Sequence, residues 1–310
     1  MSERHGTDRH LRFDREEWSR LRASTPMTLD AADLEALSGL NDPVDLAEVE
    51  AVHLPLSRLL NLDHRANAQW RSTMAEFLGA PLPTVPYIIG IAGSVAVGKS
   101  TFARILRALL ARWSDHPTVS LVTTDGFLHP NSVLDERGLM DRKGFPESYD
   151  AAALLDFLRA LKSGAAEVHA PVYSHVSYDI VPDRHVTVSS PDIVIVEGLN
   201  VLQVGTTAAD FVSDYFDFSI YIDADEDDIQ QWYVDRFFAL RETVFRDPDS
   251  YFSKYAHLTD DEARATATSI WDRINWVNLR EHIQPTRERA SLILRKGHDH
   301  RIDEVRLLTR

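Results

Sequence analysis

Gly93-Ser94-Val95-Ala96-Val97-Gly98-Lys99-Ser100-Thr101 fits the pattern G-x-x-x-x-G-K-[ST], and its reading decides the fold. The glycines let backbone N–H groups turn inward around phosphate oxygens, Lys99 reaches the β- and γ-phosphates, and Ser100 ligates Mg²⁺. The helix that follows points its positive end at the same anion. The context agrees with that mechanism. The apolar run Tyr87-Ile88-Ile89-Gly90-Ile91-Ala92 before it has the form of a short buried strand, and residues 102–113 after it have helical spacing. All nine residues, 93–101, are expected to cradle a nucleoside triphosphate.

A phosphate cradle does not name a reaction. The guanine-reading N-K-x-D is missing, since no Asn is followed by Lys, and the ABC-type L-S-G-G-Q is absent too. D-x-x-G occurs at 135–138 and 141–144, but a two-residue match carries little weight. Elimination leaves a small-molecule kinase ahead of switches and motors.

Outward from the loop, strand signals at 119–122, 193–196, 217–222 and 291–294 alternate with helical stretches at 102–113, 151–161, 226–245 and 259–282. Such alternation predicts an α/β fold: a doubly wound, mostly parallel sheet with helices on both faces. Residues 14 to about 80 have helical spacing instead, with Asp14 and Thr28-Leu29-Asp30 as start signals and Pro55 as an interruption. Pro81, Pro83 and Pro86 then mark a boundary. The expectation is an N-terminal helical segment over 1–85 packed on a kinase core over 86–310, together one structural domain.

Composition bounds the partners. The chain has 310 residues, 44% of them apolar, and 33 basic against 48 acidic residues give a net charge of -15. The basic footprint of a nucleic-acid binder is missing, so an anionic substrate needs a locally basic pocket. With no cysteine, disulfides, zinc thiolates and a cysteine nucleophile are excluded. The apolar runs at 85–92 and 193–196 are too short to span a bilayer, and residues 1–14 have no apolar signal-like core. A cytoplasmic protein is expected.

Two acids stand at strand ends, where ligands sit in open α/β sheets. Asp125 closes the run Leu121-Val122-Thr123-Thr124 and suits the base that accepts a proton from an attacking hydroxyl. An aspartate before Gly126 equally suits a turn. Glu197 ends Ile193-Val194-Ile195-Val196 and is a candidate for Mg²⁺, directly or through water; a surface acid is the alternative.

Seven stretches besides the loop strongly resemble prokaryotic type I pantothenate kinase: TTDGFLHPN at 123–131, KGFPESYD at 143–150, APVYSHVSY at 170–178, EGLNVLQ at 197–203, DPDSYFSKY at 247–255 and TRERASLIL at 286–294, with LPLSRLL at 54–60 upstream. The likeness covers nearly the whole chain. It implies ATP-dependent phosphorylation of pantothenate, a homodimer, and feedback inhibition by coenzyme A. It also implies residue roles. Asp125 is the base, with Lys99 and Arg236 on the transferring phosphate. Tyr173, His175, Tyr178, Tyr233 and Asn275 line the pantothenate site, and Arg104 and His175 meet the inhibitor. Tyr233 and Arg236 are three apart, so one helix presents both to one cleft. From the residues alone, Arg236 also suits a solvated helix face, and the tyrosines suit packing. The stretch 205–211 is shorter than in some relatives and is expected to be a surface loop. Gly297-His298-Asp299-His300 suits a solvated turn better than a metal site.

Overall fold

Every residue of the run Tyr87–Gly93 is buried, and the sheet is built around it. The computed structural model describes residues 9–309 except 41, 114, 116–117 and 205–210; the stretch expected to be a surface loop at 205–211 lies almost wholly outside them. The strands are β1 (His10–Asp14), β2 (Tyr87–Gly93), β3 (Val119–Thr123), β4 (Glu167–Ser174), β5 (Asp179–Ser189), β6 (Ile193–Glu197), β7 (Phe218–Ala224), β8 (Leu292–Lys296) and β9 (Ile302–Leu308). Seven of them form one sheet in the order β1-β9-β8-β7-β2-β6-β3. The five strands from β8 to β3 are parallel. β2, β6 and β7 are buried at every position, as in a parallel sheet covered on both faces. From β2 the chain moves out to β3, returns through β6, and then crosses to β7 on the other side. This reversal opens a crevice at the carboxyl ends of the strands beside β2.

The helices are α1 (Arg15–Arg20), α2 (Ala31–Leu37), α3 (Leu46–Glu48), α4 (Leu54–Leu78), α5 (Lys99–Ala111), α6 (Asn131–Glu136), α7 (Ala151–Lys162), α8 (Glu226–Glu242), α9 (Asp260–Ile270) and α10 (Trp276–Asn278). Asp14, Asp30 and Thr259 each close a reciprocal capping box, which fixes where α1, α2 and α9 begin. The interruption expected at Pro55 is not there. Residues 46–78 are helical without a break, and a wide π turn, Val49–His53, immediately before Pro55 carries the chain from α3 into the first turn of α4 past the proline. α4 ends at Gly79, whose φ of 64° makes a left-handed cap. The single helix expected over 259–282 is also corrected. Two π turns, Trp271–Asn275 and Leu279–Ile283, flank α10 and shift which side chains face the sheet. α8 stops at Glu242, short of the expected 245.

Four strands had no clear signal. β1 and β9 pair antiparallel toward the far edge and mix buried with wetter positions, so they lack a continuous apolar run. β4 and β5 form a separate hairpin, largely solvated along β5. Trp18, Val52, Leu56 and Leu60 share one apolar cluster with Ile89, Ile91, Val194, Ile195 and Leu294. The Trp18 indole donates to the Val52 carbonyl across 3.2 Å. The chain before the prolines therefore packs into the same core as the sheet.

Candidate active site

The phosphate loop leaves β2 at Gly93 and enters α5 at Lys99, with positive φ at Gly93, Ala96 and Gly98. At Gly98, φ is 96°, and a Cβ would lie 2.7 Å from Asp42 Oδ2 and 2.8 Å from Lys296 Nζ, so only glycine fits. Lys296, at the end of β8, donates to the Val97 carbonyl at 3.1 Å and to Asp42 Oδ1 at 2.9 Å, bracing the loop from beneath. Lys99 curls over the loop and donates to the Ser94 carbonyl at 2.7 Å. Burial pushes the Lys99 pKa down; Glu197 and Asp125 oppose that, and the Arg236 charge adds to it.

Register brings the acids to this loop. Glu197 stands opposite both Ile91 of β2 and Thr123 of β3, so three strands end together. Ser100 donates its hydroxyl to Glu197 Oε1 at 2.9 Å. Burial raises the Glu197 pKa, chiefly against the pull of Lys99. A serine hydroxyl and a carboxylate are hard oxygen donors, which suits Mg²⁺ with its remaining positions on water and phosphate. Asp125 lies in a short 3₁₀ turn, Thr124–Phe127, directly after β3. That turn presses so closely on the end of β6 that a Cβ at Gly198 would fall 1.8 Å from Thr124 Oγ1. Asp125 is close enough for its charge to act on Lys99, Glu197, Lys143, Tyr173 and Tyr178.

α8 supplies the opposite wall. Arg236 is exposed, and its charge lowers the pKa of both Lys99 and Arg104. Tyr233 is half-buried; burial pushes its pKa up to about 12, against a hydrogen bond with the Asn275 side chain. The pair Tyr233 and Asn275, expected from 42 sequence positions apart, is thus brought together. Arg104 stands within electrostatic reach of Glu197 and is anchored beside the loop. Its Nε donates to the Leu37 carbonyl at 2.7 Å and one terminal nitrogen to Thr101 at 3.2 Å.

Tyr173 on β4 and Tyr178 on the hairpin turn form an aromatic wall with centroids 6.2 Å apart. Phe252 extends it 4.7 Å from Tyr178. Burial raises both tyrosine hydroxyls, so they stay protonated hydrogen-bond donors. His175 is exposed at the rim, its ring 5.2 Å from Tyr173. Sequence reading missed Lys143. Its ammonium lies 4.0 Å over Tyr178 and 5.0 Å over Tyr173, and donates to Asn131 Oδ1 at 2.6 Å and the Tyr178 carbonyl at 2.5 Å. Burial pushes its pKa down to about 8, opposed by Asp179 and Asp125. A lone lysine in a polar stretch gives no local signal, because these partners come from 12 and 35 positions away. The histidines at 298 and 300 are engaged elsewhere: His298 pairs with Asp228 at 2.6 Å, and His300 stacks on Trp232 at 4.3 Å.

Phosphate loop, Ser–Glu pair and strand-end aspartate on a parallel sheet define a P-loop kinase. Residues 88–241 match the phosphoribulokinase/uridine kinase family. The pantothenate kinase of Rhodopseudomonas palustris (strain HaA2) is 57% identical over 99% of this chain and 98% of that protein. The pantothenate kinase of Escherichia coli O9:H4 (strain HS) is 56% identical over 96% of each. The chain belongs to the pantothenate kinase family. The solved D-glycerate 3-kinase of Cryptococcus neoformans var. grubii has the same fold at 14% identity, with a TM-score of 0.55 over 80% of this chain and 97% of that one.

Proposed function

We propose that the protein transfers the γ-phosphoryl group of ATP in line to the primary hydroxyl of pantothenate. The carrying observation is that the Asp125 charge reaches both the phosphate cradle, at Lys99 and Glu197, and the aromatic wall, at Tyr173 and Tyr178. Asp125 orients the hydroxyl and takes its proton. Lys99 and Arg236 neutralise charge on the transferring phosphoryl group. Ser100 and Glu197 would hold Mg²⁺, which when bound offsets the charge of the β- and γ-phosphates. Tyr173, Tyr178, Tyr233 and Asn275 line the acceptor, His175 closes its rim, and the Lys143 ammonium meets the acceptor's carboxylate.

Coenzyme A, as feedback inhibitor, would share the rim at His175 and reach Arg104, whose guanidinium lies one turn beyond Ser100 on α5. The second half of α4 supports a homodimer: Leu62, Trp70, Phe77 and Leu78 are exposed on it, with Phe77 80% accessible. A row of large apolar groups on one exposed helix fits a partner surface, and we assign a second copy of the chain to it. The enzyme would work in the cytoplasm, where ATP is supplied; no helix among the described residues is long and apolar enough to cross a membrane.

An ADP-release assay with pantothenate, uridine and ribulose 5-phosphate tests the substrate, repeated with added coenzyme A. Turnover confined to pantothenate supports the reading. Turnover only with another acceptor overturns it.

A further inference from the structure

Gly144, next to Lys143, has a carbonyl that accepts two side-chain amides. Asn200 Nδ2 and Asn278 Nδ2 each donate to it at 2.9 Å. A carbonyl oxygen offers two lone pairs, so both are taken. The donors come from different parts of the site. Asn200 follows Glu197 by three residues. Asn278 follows Asn275 by three, so the two asparagines lie near one another on the helical surface. The loop is tied from its other end as well: the Gly144 N–H donates to Ser148 Oγ at 2.9 Å, and Ser148 is fully buried.

We infer that Asn278, together with Asn200, is a positioning residue that sets the Lys143 ammonium against the acceptor by holding the Gly144 carbonyl. The inference rests on the reading of Lys143 as the carboxylate's partner. Asn278 is 4% exposed, and the Oδ1 atoms of both asparagines are buried with no hydrogen-bond partner among the described residues. An unmet acceptor is a cost that packing alone does not require. The amides therefore serve through their N–H groups, and among the described residues both meet at one acceptor, the carbonyl beside Lys143. Gly144 has a φ of 97°, the left-handed conformation that aims this carbonyl at the amides.

The test is steady-state kinetics of the full-length enzyme carrying Asn278→Asp, which keeps the side chain's shape and removes the donor. The KM for pantothenate should rise at least about tenfold while the KM for ATP stays within about twofold, because displacement of a positioning group acts on one substrate. Loss of structure alone would lower the active fraction and leave both KM values in place. In a Lys143→Met background the same change should add less than about twofold, since the group it positions is gone. Should Asn278→Asp fail to fold, Asn200→Ala removes the second donor and is read the same way. A pantothenate KM within about twofold of the unaltered enzyme, or an undiminished effect in the Lys143→Met background, overturns the inference. Absence of pantothenate turnover by the unaltered enzyme sinks the substrate reading and this inference with it.

Discussion

Ser100 Oγ and Glu197 Oε1 are joined by one 2.9 Å hydrogen bond, which links the first turn of α5 to the last residue of β6. Glu197→Gln keeps that geometry and removes the charge. The Mg²⁺ concentration for half-maximal rate should rise by about tenfold or more, by the scale of losses seen when groups supporting a metal are altered. Burial raises the Glu197 pKa, so its ionised form opposes folding: stability is fullest below the unfolded carboxylate range and falls as pH rises through the folded pKa. Without Mg²⁺ at pH 7, Glu197→Gln should therefore melt at or above the unaltered enzyme. A lower Tm would contradict this.

Asp125→Ala should lower kcat by about 10²- to 10⁴-fold, the range for loss of a general base. ATP affinity, measured by calorimetry, should change little, because Asp125 makes no part of the loop's backbone cradle. A near-normal kcat removes Asp125 from the mechanism.

Lys99→Met should cost about 10²- to 10³-fold in kcat, as for other single charge-stabilising donors. It should also weaken ATP binding in the same calorimetric measurement. The buried Lys99 is disfavoured by desolvation, so the variant is expected to fold at least as well.

Lys143 titrates at about 8 in the folded protein against an ordinary lysine value above 10. Below pH 8 both states are protonated and the burial penalty is full. Between there and the unfolded value the unfolded state binds more protons, so stability rises with pH. Activity runs the other way: the KM for pantothenate should climb as pH passes 8 and the ammonium is lost. In Lys143→Met the KM should start high and stay flat from pH 7 to 9. A wild-type profile that is flat over this range would remove Lys143 from substrate binding.

Trp70→Glu combined with Phe77→Glu should convert the protein to monomers in light scattering after size exclusion. Both side chains are solvated on α4, at 61% and 80% exposure, so the fold should survive the change. A dimer unaffected by both charges would place the interface elsewhere.

How much of this was legible in sequence follows from range. The phosphate loop, β2, β6 and the starts of α1 and α2 were readable because their causes are local: glycines at fixed spacing, apolar runs, and capping aspartates just before a helical run. Pro55 misled because the π turn at Val49–His53 lets the helix run past the proline, and local pattern gives no sign of such a turn. β9 was missed because Ile302–Leu308 has neither a continuous apolar run nor a strict alternation and is defined by pairing with β8 and β1. The site divides similarly. Lys99, Ser100 and Asp125 stand in readable motifs, whereas the role of Tyr233 and Asn275 came from resemblance. Lys143 and Asn200 stand in stretches that carry the resemblance, yet their roles and that of Asn278 went unread, since each is defined by a partner brought close only by the folded chain.

Lys296 grips the Val97 carbonyl from nearly 200 residues downstream. A ribosome-bound chain that has emerged only as far as α8 already contains every residue of the nucleotide loop but not the cation that shapes it. Competence to hold ATP should therefore arrive late in synthesis, when β8 slots beside β7, and the growing polypeptide would pass most of its translation without engaging cellular nucleotide.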